Sequence, residues 1–151
     1  MENISKFLVK KSIKASTLDG FEKIPVLGVS NKLGITATDH KKSKDISNYQ
    51  LIEAGDFSYN PYRINVGSIG LARDGVRGLV SPAYVVFSTK ELLPELLLDF
   101  LKSKEGLRQI ALYARGTVRK ALRFDDLCKI QMYVPCMEKQ KSILLKSNSI
   151  K

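Results

Sequence analysis

At 151 residues the chain is long enough for one domain with a sizeable core, and its 44% hydrophobic content excludes wholesale disorder. No apolar run approaches the roughly 20 residues of a membrane helix. The opening "MENISKFLVKKSIK" also lacks the apolar segment of a signal peptide, so a cytoplasmic protein without a membrane partner is expected. Twenty-five Lys and Arg against fifteen Asp and Glu leave a net charge of +10, which points to a polyanionic partner.

Residues 1–23 alternate weakly and are rich in Lys, as an N-terminal arm or an edge strand would be. "IPVLGVS" (24–30) and "LGITAT" (33–38) are short β-rich runs and predict two strands around Asn31-Lys32. "DHKKSKDIS" is too polar to be buried and predicts a loop. In "NYQLIEAGDFSY" a short apolar run is closed by the turn signal Gly55-Asp56. "RINVGSIGLA" alternates Ile64, Val66 and Ser68 with Asn65, Gly67 and Ile69, and predicts a strand with small residues on one side. After the Asp74-Gly75 turn, "GLVSPAYVVFS" (78–88) carries the strongest strand pattern in the chain, with Pro82 marking an edge or bulge.

The period then changes. Leu93, Leu96, Leu97, Phe100, Leu101, Leu107, Ile110, Ala111 and Ala114 recur at three- and four-residue spacings. One or two amphipathic helices follow, with Pro94 in a first turn and Gly106 as a candidate break. "ARGTVRKALRF" predicts a basic loop, "DDLCKIQMYVP" a helical turn leading to a final strand, and "MEKQKSILLKSNSIK" the start of a helix. The fold class is mixed α and β (α/β or α+β), one domain without repeats, with a twisted mixed β-sheet and packed helices.

Candidate chemistry is sparse. His40 is the single histidine and has no partner suggested by spacing, so a nucleophile–His–acid triad lacks support. Asp125-Asp126 starts a helical turn, where an acid caps free N–H groups. Cys128 and Cys136 fit no zinc spacing and read as ordinary, mostly buried thiols; no metal is expected. Gly67, Gly70, Gly75 and Gly78 spell neither a dinucleotide fingerprint nor a phosphate loop. Glycines in a strand pattern mark close backbone approach, here for packing or for DNA. "YNPY" (59–62) lacks the second proline of the amino-methyltransferase tetrapeptide. No glycine-rich turn for a methyl donor accompanies it, so Asn60-Pro61 reads as an Asx-Pro turn entering a strand.

Taken together, "YQLIEAGDFSYNPYRINVGSIGLARDGVRGLVSPAYVVF" resembles the target recognition domains of Type I restriction–modification specificity subunits. The family run is met by Gly55, Asp56, Asn60, Pro61, Arg63, Gly67, Ser68, Ile69, Gly78, Val80, Ser81, Pro82, Tyr84 and Phe87. Downstream, Gly116, Arg119, Leu122, Leu127, Ile130, Pro135, Glu138, Gln140 and Ile143 match its second half. Cys136 stands where the family often has a second proline, and Lys139 where an acid often precedes the glutamine.

Beyond the N-terminal arm or edge strand (1–23), the resemblance implies a DNA target recognition domain (24–136) and the start of a truncated connector helix (137–151). It implies a non-catalytic reader of double-stranded DNA. Such a reader docks a DNA methyltransferase subunit and, through it, the restriction subunit. The methyl donor belongs to the methyltransferase, so no cofactor is expected. A helix from Met137 to Lys151 reaches at most about 20 Å, shorter than the family's connectors. That leaves open a half subunit acting as a homodimer, a silent cassette or a fragment. Two alternatives stay open as well: a truncated subunit that binds the methyltransferase without reading DNA, and a small DNA amino-methyltransferase.

Within this reading, phosphate contacts come from clustered Lys and Arg, and specificity from loop side chains reaching base edges. Seven basic residues (Lys102, Lys104, Arg108, Arg115, Arg119, Lys120, Arg123) and one acid, Glu105, lie between 102 and 123. The DNA-contact candidates are Arg115, Thr117, Arg119 and Lys120 in the basic loop, and His40, Lys41, Lys42 and Lys44 in the polar loop. Arg63 is expected either to touch DNA or to brace the fold. Lys102 and Lys104 are expected on a solvated helix face.

Overall fold

The computed structural model describes residues 1–38 and 45–150. The polar-loop candidates His40, Lys41, Lys42 and Lys44 lie outside the described residues. Among the described residues ten strands and four α-helices follow in chain order: β1 (Glu2–Asn3), β2 (Leu8–Lys11), β3 (Leu27–Ser30), β4 (Gly34–Ala37), β5 (Gln50–Glu53), β6 (Phe57–Tyr59), β7 (Ile69–Leu71), β8 (Arg77–Val80) and β9 (Val85–Thr89). Then come α1 (Pro94–Lys102), α2 (Lys104–Tyr113), α3 (Phe124–Leu127), β10 (Gln131–Met132) and α4 (Met137–Ile150).

The class is mixed α and β, and the strands are divided among several sheets. A four-stranded sheet runs β2-β9-β6-β7, and β1-β10, β3-β4 and β5-β8 form two-stranded ribbons. All of these strand pairs are antiparallel. A parallel bridge, Val26 to Leu79, ties the β3 segment to β8. The strands are short, two to five residues each between turns, and pair as small antiparallel pieces.

The main core lies between the four-stranded sheet and α1–α3. Phe57 and Phe87 stack across β6 and β9 with ring centroids 4.8 Å apart, and Tyr59 meets Phe87 edge-on. Helices α1 and α2 close one side through Leu97, Leu101 and Ile110. The first residues belong to this body: Ile4, Phe7 and Leu8 are buried in the same core, and β2 forms the sheet's edge. Two smaller apolar clusters sit under the ribbons, one around Leu51 and Leu79 and one around Ile52 and Val80.

Three boundaries differ from the sequence expectation. "RINV" is a 3-10 turn, Ile64–Val66, because Gly67 takes a left-handed φ of 86° that ends it; the strand begins only at Ile69. The run 78–88 is two strands in different sheets. Ser81 Oγ accepts the Ala83 N–H, and Gln50 Nε2 donates to the carbonyls of Ser81 and Tyr84, fixing the Ser-Pro turn between them. The helix break falls at Ser103, whose hydroxyl caps α2 by accepting the Gly106 N–H. Gly106 lies inside α2, where a Cβ would collide with the Phe100 carbonyl.

Candidate nucleic-acid interface

The basic segment after α2 is a closed loop. Arg115 and Ala121 exchange backbone hydrogen bonds of 2.9 and 2.8 Å, leaving residues 116–120 as a five-residue excursion. Gly116, at φ 141°, allows the tight turn, since a Cβ there would meet the Arg119 carbonyl. Every residue from Arg115 to Lys120 is exposed, and Val118 at the tip is fully so.

The base of this loop is tied to the "YNPY" stretch. Leu122 N–H donates to the Pro61 carbonyl at 3.0 Å, and the buried Tyr59 hydroxyl donates to the Leu122 carbonyl at 2.9 Å. Burial, with the nearby Cys128 and Asp126, raises the Tyr59 pKa and keeps that hydroxyl a donor. Asn60 makes the expected Asx turn, its Oδ1 accepting the Tyr62 N–H at 3.0 Å. The ring of Tyr62 then receives Arg119, whose guanidinium carbon stands 4.2 Å from the ring centroid.

A second anchor holds the loop from the other side. Asp126, almost fully buried at the start of α3, accepts from Arg115 (2.8 and 3.2 Å) and from Lys129 (3.1 Å). Burial pushes its carboxyl up, but hydrogen bonds and charge from Arg115 and Lys129 outweigh this and hold it below the ordinary 3.8. Asp125 is not the cap: Arg123 takes the N-cap position, and Asp125 stays exposed within the first turn.

Arg115 is thus bound at the loop base, while Thr117, Arg119 and Lys120 project from the excursion. Arg63 is exposed beside Tyr62, its carbonyl accepting the Val66 and Ser68 N–H groups. Lys120 borders a cavity of about 240 Å³ floored by Pro61, Ile64 and Ile110. The loop, Tyr62 and Arg63 therefore form one exposed basic surface. Lys102 and Lys104 are exposed beside the α1–α2 junction, and Arg108 is paired with Glu105.

Gly70 and Gly78 serve packing. A Cβ on Gly70 would stand 2.6 Å from the Ile35 backbone nitrogen, and one on Gly78 would collide with the Leu27 side chain. The β3–β4 hairpin therefore lies directly on β7 and β8. Tyr62 and Val118 are the surface residues that pattern reading did not single out as contacts. An aromatic residue after Asn-Pro was the available signal for Tyr62.

Among the described residues no group of three or more His, Cys, Asp or Glu is placed to hold a metal ion. No helix among them is long and apolar enough to cross a membrane. No protein-family model matches the sequence, and no curated protein is recognisably similar to it. The fold, however, matches solved structures over 99% of the chain. One is a chain from a study of complex assembly and conformational transition in the type I R-M system, with a TM-score of 0.72 at 16% identity. Another is the HsdS subunit from Thermoanaerobacter tengcongensis, with a TM-score of 0.70, also at 16% identity.

The chain has the fold of a Type I specificity subunit. It spans 41% of the length of each of these two neighbours. Within this fold Asp56, Gln50, Gln109 and Gln140 are internal polar anchors, each buried and hydrogen-bonded. Gln140 shows how. Its Oε1 accepts the Leu93 N–H at the start of α1, and its Nε2 donates to the carbonyls of Glu91 and Pro135. One side chain on α4 thus locks the entry to the helical layer of this specificity-subunit fold.

Proposed function

We propose that this chain is a sequence-specific DNA recognition domain of a Type I restriction–modification specificity subunit. It is non-catalytic, and it directs a methyltransferase, with the restriction subunit behind it, to a split DNA site. The observation that carries this is the closed basic loop 115–121, anchored at both ends and presented with Tyr62 and Arg63 on a domain of specificity-subunit fold. An exposed, pre-ordered basic loop contacts DNA with little ordering cost, and the net +10 charge supplies sequence-independent attraction.

Arg63, Thr117, Arg119 and Lys120 are the contacts, with Arg115 bracing the loop through Asp126. His40, Lys41, Lys42 and Lys44 belong to the same proposal as a second contacting segment. The chain needs no cofactor of its own in this role, and it acts in the cytoplasm, where the DNA is. The test is enrichment of a randomised duplex library by the purified chain, followed by titration at several salt concentrations. A defined sequence, bound with steep salt dependence, is the expected result. A library that stays random overturns the proposal.

A second reading is favoured by one observation: α4 carries Ile143 and Leu145 exposed, the latter strongly. Such a helix suits docking to a methyltransferase or to a second copy of this chain. Co-purification with the methyltransferase but no DNA preference selects this reading over the first.

A further inference from the structure

We propose that Arg119, laid over Tyr62, reads one guanine in the major groove, with Tyr62 as its positioning residue. The inference rests on the DNA-recognition reading above and adds a base, an atom pair and a residue to it.

The cations around the loop are not equivalent. Arg115 and Lys129 are bound to Asp126, and Arg108 to Glu105. Their charges are largely answered within the fold. Among the described residues, no carboxylate or carbonyl engages the Arg119 side chain; its contact is the Tyr62 ring. A ring beneath the guanidinium satisfies no N–H donor, so the five donors stay available to a ligand while the side chain is restrained.

The restraint extends to the backbone on both sides. Tyr62 is set by the Asn60 Asx turn, and the loop by the Arg115–Ala121 bond pair and the Leu122–Pro61 bond. Arginine is otherwise among the most flexible side chains, so this pre-ordering favours a fixed fork. A fork with two parallel donors matches the O6 and N7 acceptors of guanine, which lie side by side on its major-groove edge. Adenine offers one acceptor and one donor there, and so does not accept both N–H groups.

The test compares the full chain with Arg119→Lys, Arg119→Ala, Tyr62→Phe and Tyr62→Leu in the same library enrichment. Thermal melting of each checks folding, which substitutions at these exposed positions should leave intact. The wild-type sequence is then measured with 7-deazaguanine replacing each guanine in turn. The expected result is one guanine whose preference falls about tenfold or more in Arg119→Lys and Arg119→Ala. It persists in Tyr62→Phe and drops several-fold in Tyr62→Leu. Removal of N7 at that position weakens the wild type but not Arg119→Ala.

Three outcomes overturn the proposal. If Arg119→Ala weakens binding equally for all sequences and lowers the salt slope by about one, Arg119 is a phosphate contact. DNA reading then stands and guanine reading falls. If Tyr62→Leu behaves like Tyr62→Phe, Tyr62 does not position Arg119. If the wild type enriches no sequence, the DNA-recognition reading falls, and this inference with it.

Discussion

Asp56 and Asp126 are both buried carboxylates that grip cationic side chains, yet they serve different parts of the molecule. Asp56 accepts from Lys11 and from the Glu53 N–H, and so joins the edge strand β2 to the turn before β6. Its partner Lys11 is itself partly buried. Asp126 grips Arg115 and Lys129, whose outer faces remain in solvent, and it steadies a loop that projects from the fold. The first acid joins two inner elements. The second converts internal order into external order. Gln50 and Gln140 follow the first pattern, bonding inside the fold, and the Arg115 anchor of the basic loop follows the second.

That division is open to attack at several points. The largest effect is expected from Gln140→Leu, which leaves the Leu93 N–H and the carbonyls of Glu91 and Pro135 without their partner. The cost is about 3 kcal/mol in chemical denaturation, with DNA preference unchanged in the folded fraction. An altered preference would break the inner–outer division. Gly70→Ala should cost about 2 kcal/mol, because the Ile35 backbone must give way, and should likewise leave sequence preference intact.

Substituting the two acids sharpens the comparison. Asp56→Ala and Asp126→Ala should each destabilise by about 2 kcal/mol, short of a fully buried pair because some partners are half-exposed. Only Asp126→Ala should also weaken DNA binding, by several-fold beyond its folded fraction. Equal binding losses would erase the distinction.

Acid titration gives a smaller effect. Because the folded-state pKa of Asp126 is depressed, its contribution is fully present above about 3.8. It is lost as pH falls through the lower folded value. Asp126→Asn should flatten that acid limb of the stability curve. Least of all, Val118→Ala at the loop tip should shift the melting midpoint by less than about 0.5 kcal/mol in equivalent stability.

Much of the fold was legible in the sequence where a local rule and the tertiary structure agree. Leucines at helical spacing with Pro94 at the first turn predicted α1, and the Asn60-Pro61 turn formed as its residues dictate. Misreadings arose where one residue reorganised an otherwise regular pattern. Ile64, Val66 and Ser68 alternate as a strand does, but Gly67 at positive φ turns the chain before the ladder starts. The apolar run across Ser81-Pro82 looks continuous in sequence, but the buried Gln50, from a distant strand, claims its carbonyls.

The candidate site shows the same limit. Its charges were visible as a cluster between 102 and 123, but their division of labour was not. Arg115 and Asp126 are eleven residues apart and belong to different elements, and Tyr62 and Arg119 come from distant segments. By itself the sequence determined the class, the helices, the turn chemistry and an excess of positive charge, because each depends on neighbours along the chain. Only the tertiary structure decided which cations are bound internally and which face outward. Ion pairing and stacking depend on distances of a few ångström between segments that the fold alone brings together.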